Sequence, residues 1–410
     1  MNMNDNEKGR LQVSVCSERN SMPVAGATVR ITDPADGSVL EVLQTDDSGQ
    51  TAEIELPAPP PDLSRGRNAA RPYASYNVTV SAGQWETLNF AGVQILPDCL
   101  AIQNAAVRPA VPDGFNVRNI LIDPHVLWSD YPPKIPEDEV KPLPGPGGFI
   151  VLPEPVVPEY MIVHLGTPQD DSASDVWVPF KDYIKNVASC EIYSTWPVET
   201  IKANVLAILS FTLNRVYTEW YRGKGKNFTI TNSTAYDQAY SHGRNIFEEI
   251  STVTDELFTT YITRETIRQP LFTQYCDGRR VQCGGLSQWG SQALGEQGMD
   301  AVSILRTYYG SDIYLAQAEK VEGVPRSYSG VVLQPGSRGE DVRTIQQQLN
   351  KISDNYPAIP KQRVDGVYGD TTLQAVKEFQ KIFYLPQSGT VDFATWYEIS
   401  NVYVAVSQMA

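Results

Sequence analysis

Glu191 is the residue whose type and setting most directly suggest chemistry. Phe180, Tyr183, Ile184 and Val187 recur at i, i+3, i+4 and i+7, the apolar stripe of an amphipathic helix, and Glu191 continues that stripe at i+11. Ile192, Tyr193 and Trp196 follow at once. Apolar neighbours and the partial negative charge of a helix C-terminus both oppose ionisation of a carboxyl group, and a glutamic acid that stays protonated near neutral pH can serve as a general acid. A helix-end glutamate that turns out to solvent fits the same pattern, so the pattern leaves both readings open.

A second group of side chains lies a hundred residues further on, in CGGLSQWGSQALG. Gly284, Gly285, Gly290 and Ser291 flank Gln288 and Trp289. An aromatic ring and an amide set among glycines suit the wall of a sugar-binding cleft, and a tight helix-packing turn would use the same residues. Ser287 has no histidine or aspartate in a triad pattern beside it, so a nucleophilic serine is not expected. Cys276 and Cys283 could pair or hold part of a metal site. With five cysteines in all, an odd and sparse number for a disulfide framework, free thiols are the expected state.

These residues need a scaffold, and residues 161–330 read as an α+β unit. MIVHLG, FTITNST and PLFTQYC look like strands. Pro197 and Glu199 open a long helix whose stripe is Val198, Ile201, Val205, Ile208 and Thr212, and RNIFEEISTVTDELFTTYI reads as another helix. Upstream, residues 1–130 carry LQVSV, ATVRI, SVLEVLQT, TAEIEL and YNVTVSA, short strands separated by turn residues, which predict an all-β sandwich without catalytic residue types. Residues 131–160 hold nine prolines and read as an extended, exposed linker. Within it, GPGGFIVL is a plausible protease target at Phe149, Ile150 and Val151, because cleavage needs accessible extended chain. Residues 331–410 predict a small three-helix domain, with Val342, Ile345, Leu349 and Ile352 in one helix, Leu373, Val376, Phe379 and Phe383 in the next, and a third starting at Asp392.

Composition narrows the function classes. The 410 residues are 41% apolar and 20% charged, which argues for folded domains rather than wholesale disorder. A net charge of −15 argues against nucleic acid or an anionic membrane as partner. No run of apolar residues is long enough for a membrane span, and MNMNDNEKGR lacks the apolar core of a secretory signal peptide.

Four resemblances converge on these segments. PVAGATVRI and TDDSGQTAEIEL resemble a prealbumin-like or carboxypeptidase-regulatory sandwich. QPGSRGEDVRTIQQQLNKI, VDGVYGDTTLQAVKEFQ and SGTVDFATWYEI resemble the peptidoglycan-binding type 1 domain. FKDYIKNVASCEIYSTWPVETIKANVLAILSFTLNRV and GLSQWGSQALGEQG are similar to the signature segments of the SpoIID/LytB-like domain. The whole arrangement, Pro-rich segment included, resembles the clostridial spore cortex-lytic enzymes. The second pair of segments implies a lytic transglycosylase with Glu191 as catalytic acid, and Tyr193, Trp196, Gln288 and Trp289 as glycan-binding candidates. Asp237 and Asp277 are the carboxylates that tertiary contacts could add. The overall resemblance implies a precursor stored in the spore, cut near Phe149, Ile150 and Val151 by a subtilisin-like Csp protease at germination, and acting on cortex peptidoglycan. Related SpoIID enzymes can hold zinc with histidine and cysteine. Here His125, His164 and His242 all lie more than thirty residues from Cys276, so no metal or other cofactor is expected. An N-acetylmuramoyl-L-alanine amidase and a non-catalytic peptidoglycan-binding spore protein are the alternatives.

Overall fold

Alternation of apolar and polar residues builds the first layer. In the computed structural model, which describes residues 7–66, 70–112, 114–125, 127, 131–142 and 152–407, eight strands form by residue 121. They are β1 (Lys8–Ser17), β2 (Thr28–Thr32), β3 (Val39–Gln44), β4 (Ile54–Pro57), β5 (Ala74–Ser81), β6 (Thr87–Ile95), β7 (Leu100–Val107) and β8 (Val117–Leu121). Leu11, Val13 and Val15 of β1 and Tyr76, Val78 and Val80 of β5 are buried at every second position, the period of a strand with one face in a core. One sheet runs β3-β2-β5-β6-β8. The other runs β7-β1-β4, and beyond β7 it gains Ile246–Phe247 from the central region, paired antiparallel with Ile102 and Ala101. The expected sandwich is present, and the central region completes it.

A short helix α1 (Asp62–Arg65) follows β4, and the central region adds α2 (Phe180–Glu191), α3 (Val198–Tyr217), α4 (Glu248–Leu257), α5 (Gln288–Glu296) and α6 (Ala301–Tyr309). Helix α3 touches α2, α4, α5 and α6 and the strand Thr260–Arg264, so it is the hub. Its apolar residues run almost all round, which suits a helix enclosed on every side. Val198 is the exception to its predicted stripe and is exposed. The helix predicted over RNIFEEISTVTDELFTTYI is shorter than its periodicity. Ile246–Phe247 extends to pair with β7, and Thr260–Arg264 pairs with Ile313–Gln317. β-branched residues at Thr260, Ile262 and Thr263 favour that ladder over another helical turn. FTITNST and PLFTQYC give only the two-residue strands Ile230–Thr231 and Tyr275–Cys276.

The Pro-rich stretch departs from its expected role. Residues 131–142 form neither helix nor strand and touch the central region intermittently: Lys141 is only 3% exposed, whereas Pro132, Pro133, Ile135, Pro136, Asp138 and Pro142 are exposed. Val156–Val157 pairs in parallel with Lys320–Val321 and is buried. Side-chain and backbone partners hold the segment down at intervals, so these residues form a tethered, partly exposed segment rather than a free spacer. The predicted cut at Phe149, Ile150 and Val151 lies outside the described residues.

Helices α7 (Glu340–Ile352), α8 (Asp370–Ile382) and α9 (Phe393–Ser407) make the C-terminal bundle. Asp392 caps α9 by accepting the Thr395 amide at 2.9 Å. Gln346 and Gln380 play matching parts: each amide oxygen accepts a loop glycine N–H at 2.8 Å, Gly366 and Gly389 respectively. Among the described residues no helix is long and apolar enough to cross a membrane.

Candidate functional site

Glu191 is the last residue of α2, and its inward stripe position leaves it 8% exposed. Three donors hold its side chain. The Ala239 amide reaches Oε1 at 2.8 Å, and the Gln288 side-chain amide reaches Oε2 and the Glu191 carbonyl oxygen, each at 2.9 Å. The Tyr275 hydroxyl points to Oε1 from 3.4 Å. Burial, then the charge of Glu191, pushes the Tyr275 phenol well above its ordinary range, so it remains a neutral donor.

Local sequence explains how the donors arrive. Ser287 caps α5 by accepting the Gly290 amide at 3.0 Å, which sets Gln288 as the first residue of that helix. The surrounding glycines serve close packing: a Cβ at Gly285 would strike the Gln274 carbonyl, at Gly290 the Tyr308 hydroxyl, and at Gly295 the Thr200 hydroxyl. Of the two readings of CGGLSQWGSQALG, the packing turn accounts for these glycines. Gln288 is a partner of Glu191 and is buried with it.

Tyr193, Trp196 and Trp289 form an aromatic triangle, with centroid separations of 5.8, 5.1 and 6.3 Å. They are 0%, 3% and 1% exposed, so none offers an open stacking face. The N-terminal region covers them. The Trp196 indole N–H donates to the Ser64 carbonyl at 2.8 Å, Thr195 meets the Ser64 hydroxyl at 2.8 Å, and the Tyr193 hydroxyl accepts the Leu127 amide at 3.2 Å. The His125 ring lies 4.7 Å from that of Tyr193.

Both additional carboxylates have other work. Asp237 binds Arg215 Nε at 2.7 Å through Oδ1, while Oδ2 accepts from the Tyr221 hydroxyl and from the Thr231 amide and hydroxyl. Asp277 lines the cavity beside Glu191, and its carboxylate accepts the amides of Arg280 and Val281. Cys276 and Cys283 are joined in a disulfide, contrary to the free thiols expected, because the Asp277 turn brings their Cα atoms to 6.1 Å. His164 pairs with Asp175 and His242 with Tyr240. Among the described residues no three His, Cys, Asp or Glu side chains cluster as a metal site.

The cavity at Glu191 measures about 30 Å³, too small for a sugar ring. Leu127, Tyr131, Pro132 and Lys134 form one side of it. Sequence reasoning found Glu191 and Gln288 but missed Ala239, Tyr275 and Lys134, which reach the acid only through the tertiary fold.

Comparison with known families fits this layout. Residues 172–265, which include Glu191 and α3, match the profile of the Stage II sporulation protein family, and residues 338–399 match a peptidoglycan binding domain. No curated protein matches the chain. Among solved structures, the SleB N-terminal domain is 34% identical over 18% of this chain and 93% of its own, with a TM-score of 0.16. The Bacillus anthracis TIE protein is 16% identical over 25% of this chain and 16% of its own, with a TM-score of 0.18. Catechol 1,2-dioxygenase from Pseudomonas arvilla C-1 is 19% identical over 28% of this chain and 58% of its own, with a TM-score of 0.19. At those scores the three likenesses carry no structural argument. The two family matches locate similarity along the chain: residues 172–265, which contain Glu191, are similar to the Stage II sporulation protein family, and residues 338–399 to a peptidoglycan binding domain.

Proposed function

We propose that this chain is a spore cortex peptidoglycan-degrading enzyme of the SleC type, a lytic transglycosylase made as a precursor. The observation that carries the reading is one buried carboxyl group, Glu191, held by three donors within the segment that matches the sporulation family. A three-helix peptidoglycan binding domain on the same chain supports the substrate.

A lytic transglycosylase works with a single carboxyl group. Glu191 gives its proton to the glycosidic oxygen between N-acetylmuramic acid and N-acetylglucosamine as the bond from muramoyl C1 breaks. The muramoyl C6 hydroxyl then attacks C1, and its proton passes to the Glu191 carboxylate, which restores the acid and leaves a 1,6-anhydro end. No water enters, so the second carboxylate of a hydrolase has no role, in keeping with the prior engagement of Asp237 and Asp277. The nucleophile belongs to the substrate, and proximity favours ring closure. Ala239 and Gln288 fix the carboxyl group's rotamer, and Tyr275 adds a neutral donor. In this reading a subtilisin-like Csp protease cuts near Phe149, Ile150 and Val151 to release the N-terminal part.

Mass spectrometry of digested cortex tests the function. Anhydromuramic ends that disappear in Glu191→Gln are the expected result. Amide-cleaved peptides with intact glycan strands would instead make the chain an amidase, and binding without any cleavage would make it a wall-binding protein.

A further inference from the structure

We propose that residues 131–141 are an autoinhibitory strap that plugs the groove leading to Glu191, and that this plug survives a cut made beyond residue 142. The inference rests on the reading of Glu191 as the acid.

The strap begins at the acid itself, where Tyr131, Pro132 and Lys134 line the Glu191 cavity. From there it runs along the central region and exchanges hydrogen bonds with it at Lys134, Ile135, Glu139 and Lys141. The Lys134 ammonium donates to the Asp237 carbonyl at 3.0 Å and lies 5.4 Å from the Tyr275 ring centroid. The Ile135 amide donates to the Ala235 carbonyl, and the Ile135 carbonyl accepts from Gln274 Nε2, each at 2.9 Å. The Glu139 carbonyl accepts the Phe272 amide at 2.8 Å. Lys141 exchanges two bonds with the Gln269 side chain, both at 3.0 Å. This is how an extended peptide is bound in a preformed groove: main-chain bonds supply the hold and side chains the register.

Two ion pairs set that register. Glu137 takes both terminal nitrogens of Arg215, at 2.9 and 2.7 Å, and Glu139 takes Arg264 Nη1 at 2.8 Å. The Arg215 side chain is fully buried and that of Glu137 is 12% exposed, so this pair cannot be exchanged for water in place. Burial pushes Lys134 below the usual lysine range while the charges of Glu191 and Asp237 pull the other way, as expected of an ammonium facing the acid.

All these contacts lie on the N-terminal side of residue 143, so severing the chain beyond residue 142 removes none of them. The groove opens when the N-terminal fragment departs.

Labelling of Glu191 by a water-soluble carbodiimide and an amine, located by mass spectrometry, reads access to the groove without requiring turnover. Full-length wild type is compared with Glu137→Gln/Glu139→Gln, which removes the ion pairs, and with Lys134→Ala/Ile135→Pro, which leaves those ion pairs in place. Both variants are expected to label Glu191 about 10-fold faster than wild type, because local opening then costs less. Wild type cut beyond residue 142, with its fragments still associated, is expected to label as slowly as the uncut chain. Labelling at the wild-type rate in both variants overturns the plug, and fast labelling of the cut, associated chain overturns its survival. Release of anhydro ends is scored separately: fast labelling without such ends sinks the transglycosylase reading and leaves the strap standing.

Discussion

A carboxyl group that gives a proton and takes it back must keep one orientation through both steps. In the mechanism proposed for Glu191, Gln288 contributes more to this than its single amide suggests, because that amide bonds the carboxyl group and the main-chain carbonyl of the same residue. It thereby ties the C-terminal turn of α2 to the first turn of α5. Gln288→Ala should therefore lower kcat on soluble glycan strands by about 10²-fold with little change in KM, since misplacing a catalytic group by an ångström has that order of effect. Equal loss through KM would return Gln288 to the substrate-contact role first expected of it. Glu191→Gln should lose about 10²- to 10⁴-fold, the usual contribution of a general acid. The helical stripe allowed an inward Glu191 without deciding it, since a period of 3.6 residues encodes the buried face but a helix-end residue can still turn out; the fold places it inward. Its partners were not legible: Ala239 and Tyr275 come from 48 and 84 residues away, through loops with no periodicity. Tyr193, Trp196 and Trp289 were legible as a group of aromatics, but nothing local showed that Ser64, His125 and Leu127 would cover them.

At the scale of elements, two connections behave against their composition. The loop from Cys276 to Cys283 is closed by a disulfide and carries Asp277, which accepts the loop's own amides of Arg279, Arg280 and Val281 and lines the Glu191 cavity. Cysteine counting failed here because pairing depends on where a turn brings two side chains, not on the total. Closing so short a loop should contribute about 2 kcal/mol by restricting the unfolded chain. Urea melts of Cys283→Ser, or of wild type with and without reductant, measure it; identical midpoints would show that the loop is held by its hydrogen bonds alone. The Pro-rich stretch reads as an exposed spacer; within residues 131–142 Pro132, Pro133, Ile135, Pro136, Asp138 and Pro142 are exposed, but Lys141 is buried and the segment is tied to the central region. Its proline content sets backbone shape, whereas Glu137 and Glu139 find Arg215 and Arg264 only in the folded chain. Arg215→Ala would leave Asp237 buried without its cation and Glu137 with Lys141 alone, and should destabilise the protein by about 3–5 kcal/mol. A denaturant titration checks this, and a change below 1 kcal/mol would mean that water relieves both carboxylates.

At the scale of the molecule, the peptidoglycan binding domain is docked on the rest of the chain rather than hanging from it. Phe258 packs against Phe393 and Tyr397 of α9, Gln50 donates to the Ile382 carbonyl, and the Tyr356 hydroxyl donates to the Ser21 carbonyl. The charged centre of this junction is Asp255, which binds Lys181 at 3.0 Å and Lys185 at 2.8 Å, while Lys181 also binds Glu398 of α9. Burial alone would raise Asp255, but the two ammonium groups outweigh it and hold the carboxyl below the usual range. Its contribution to stability is therefore present above the unfolded value of about 3.9, and is lost as pH falls through the lower folded value. Lys181 is raised, because its two carboxylates outweigh the burial that opposes them. Its contribution holds below about 10.4 and is lost as pH rises through the higher folded value. Urea titrations at pH 6 and pH 3 separate these effects. Wild type should lose stability on acidification, and Asp255→Asn should already be weakened at pH 6 by about 3–5 kcal/mol, the cost of leaving buried charges unpaired. The variant should then lose less than wild type between the two pH values, because the carboxyl group that takes up the proton is gone. Parallel losses in the two proteins would place the acid-sensitive groups elsewhere, and the docking of the wall-binding domain would then be held by its aromatic contacts rather than by charge.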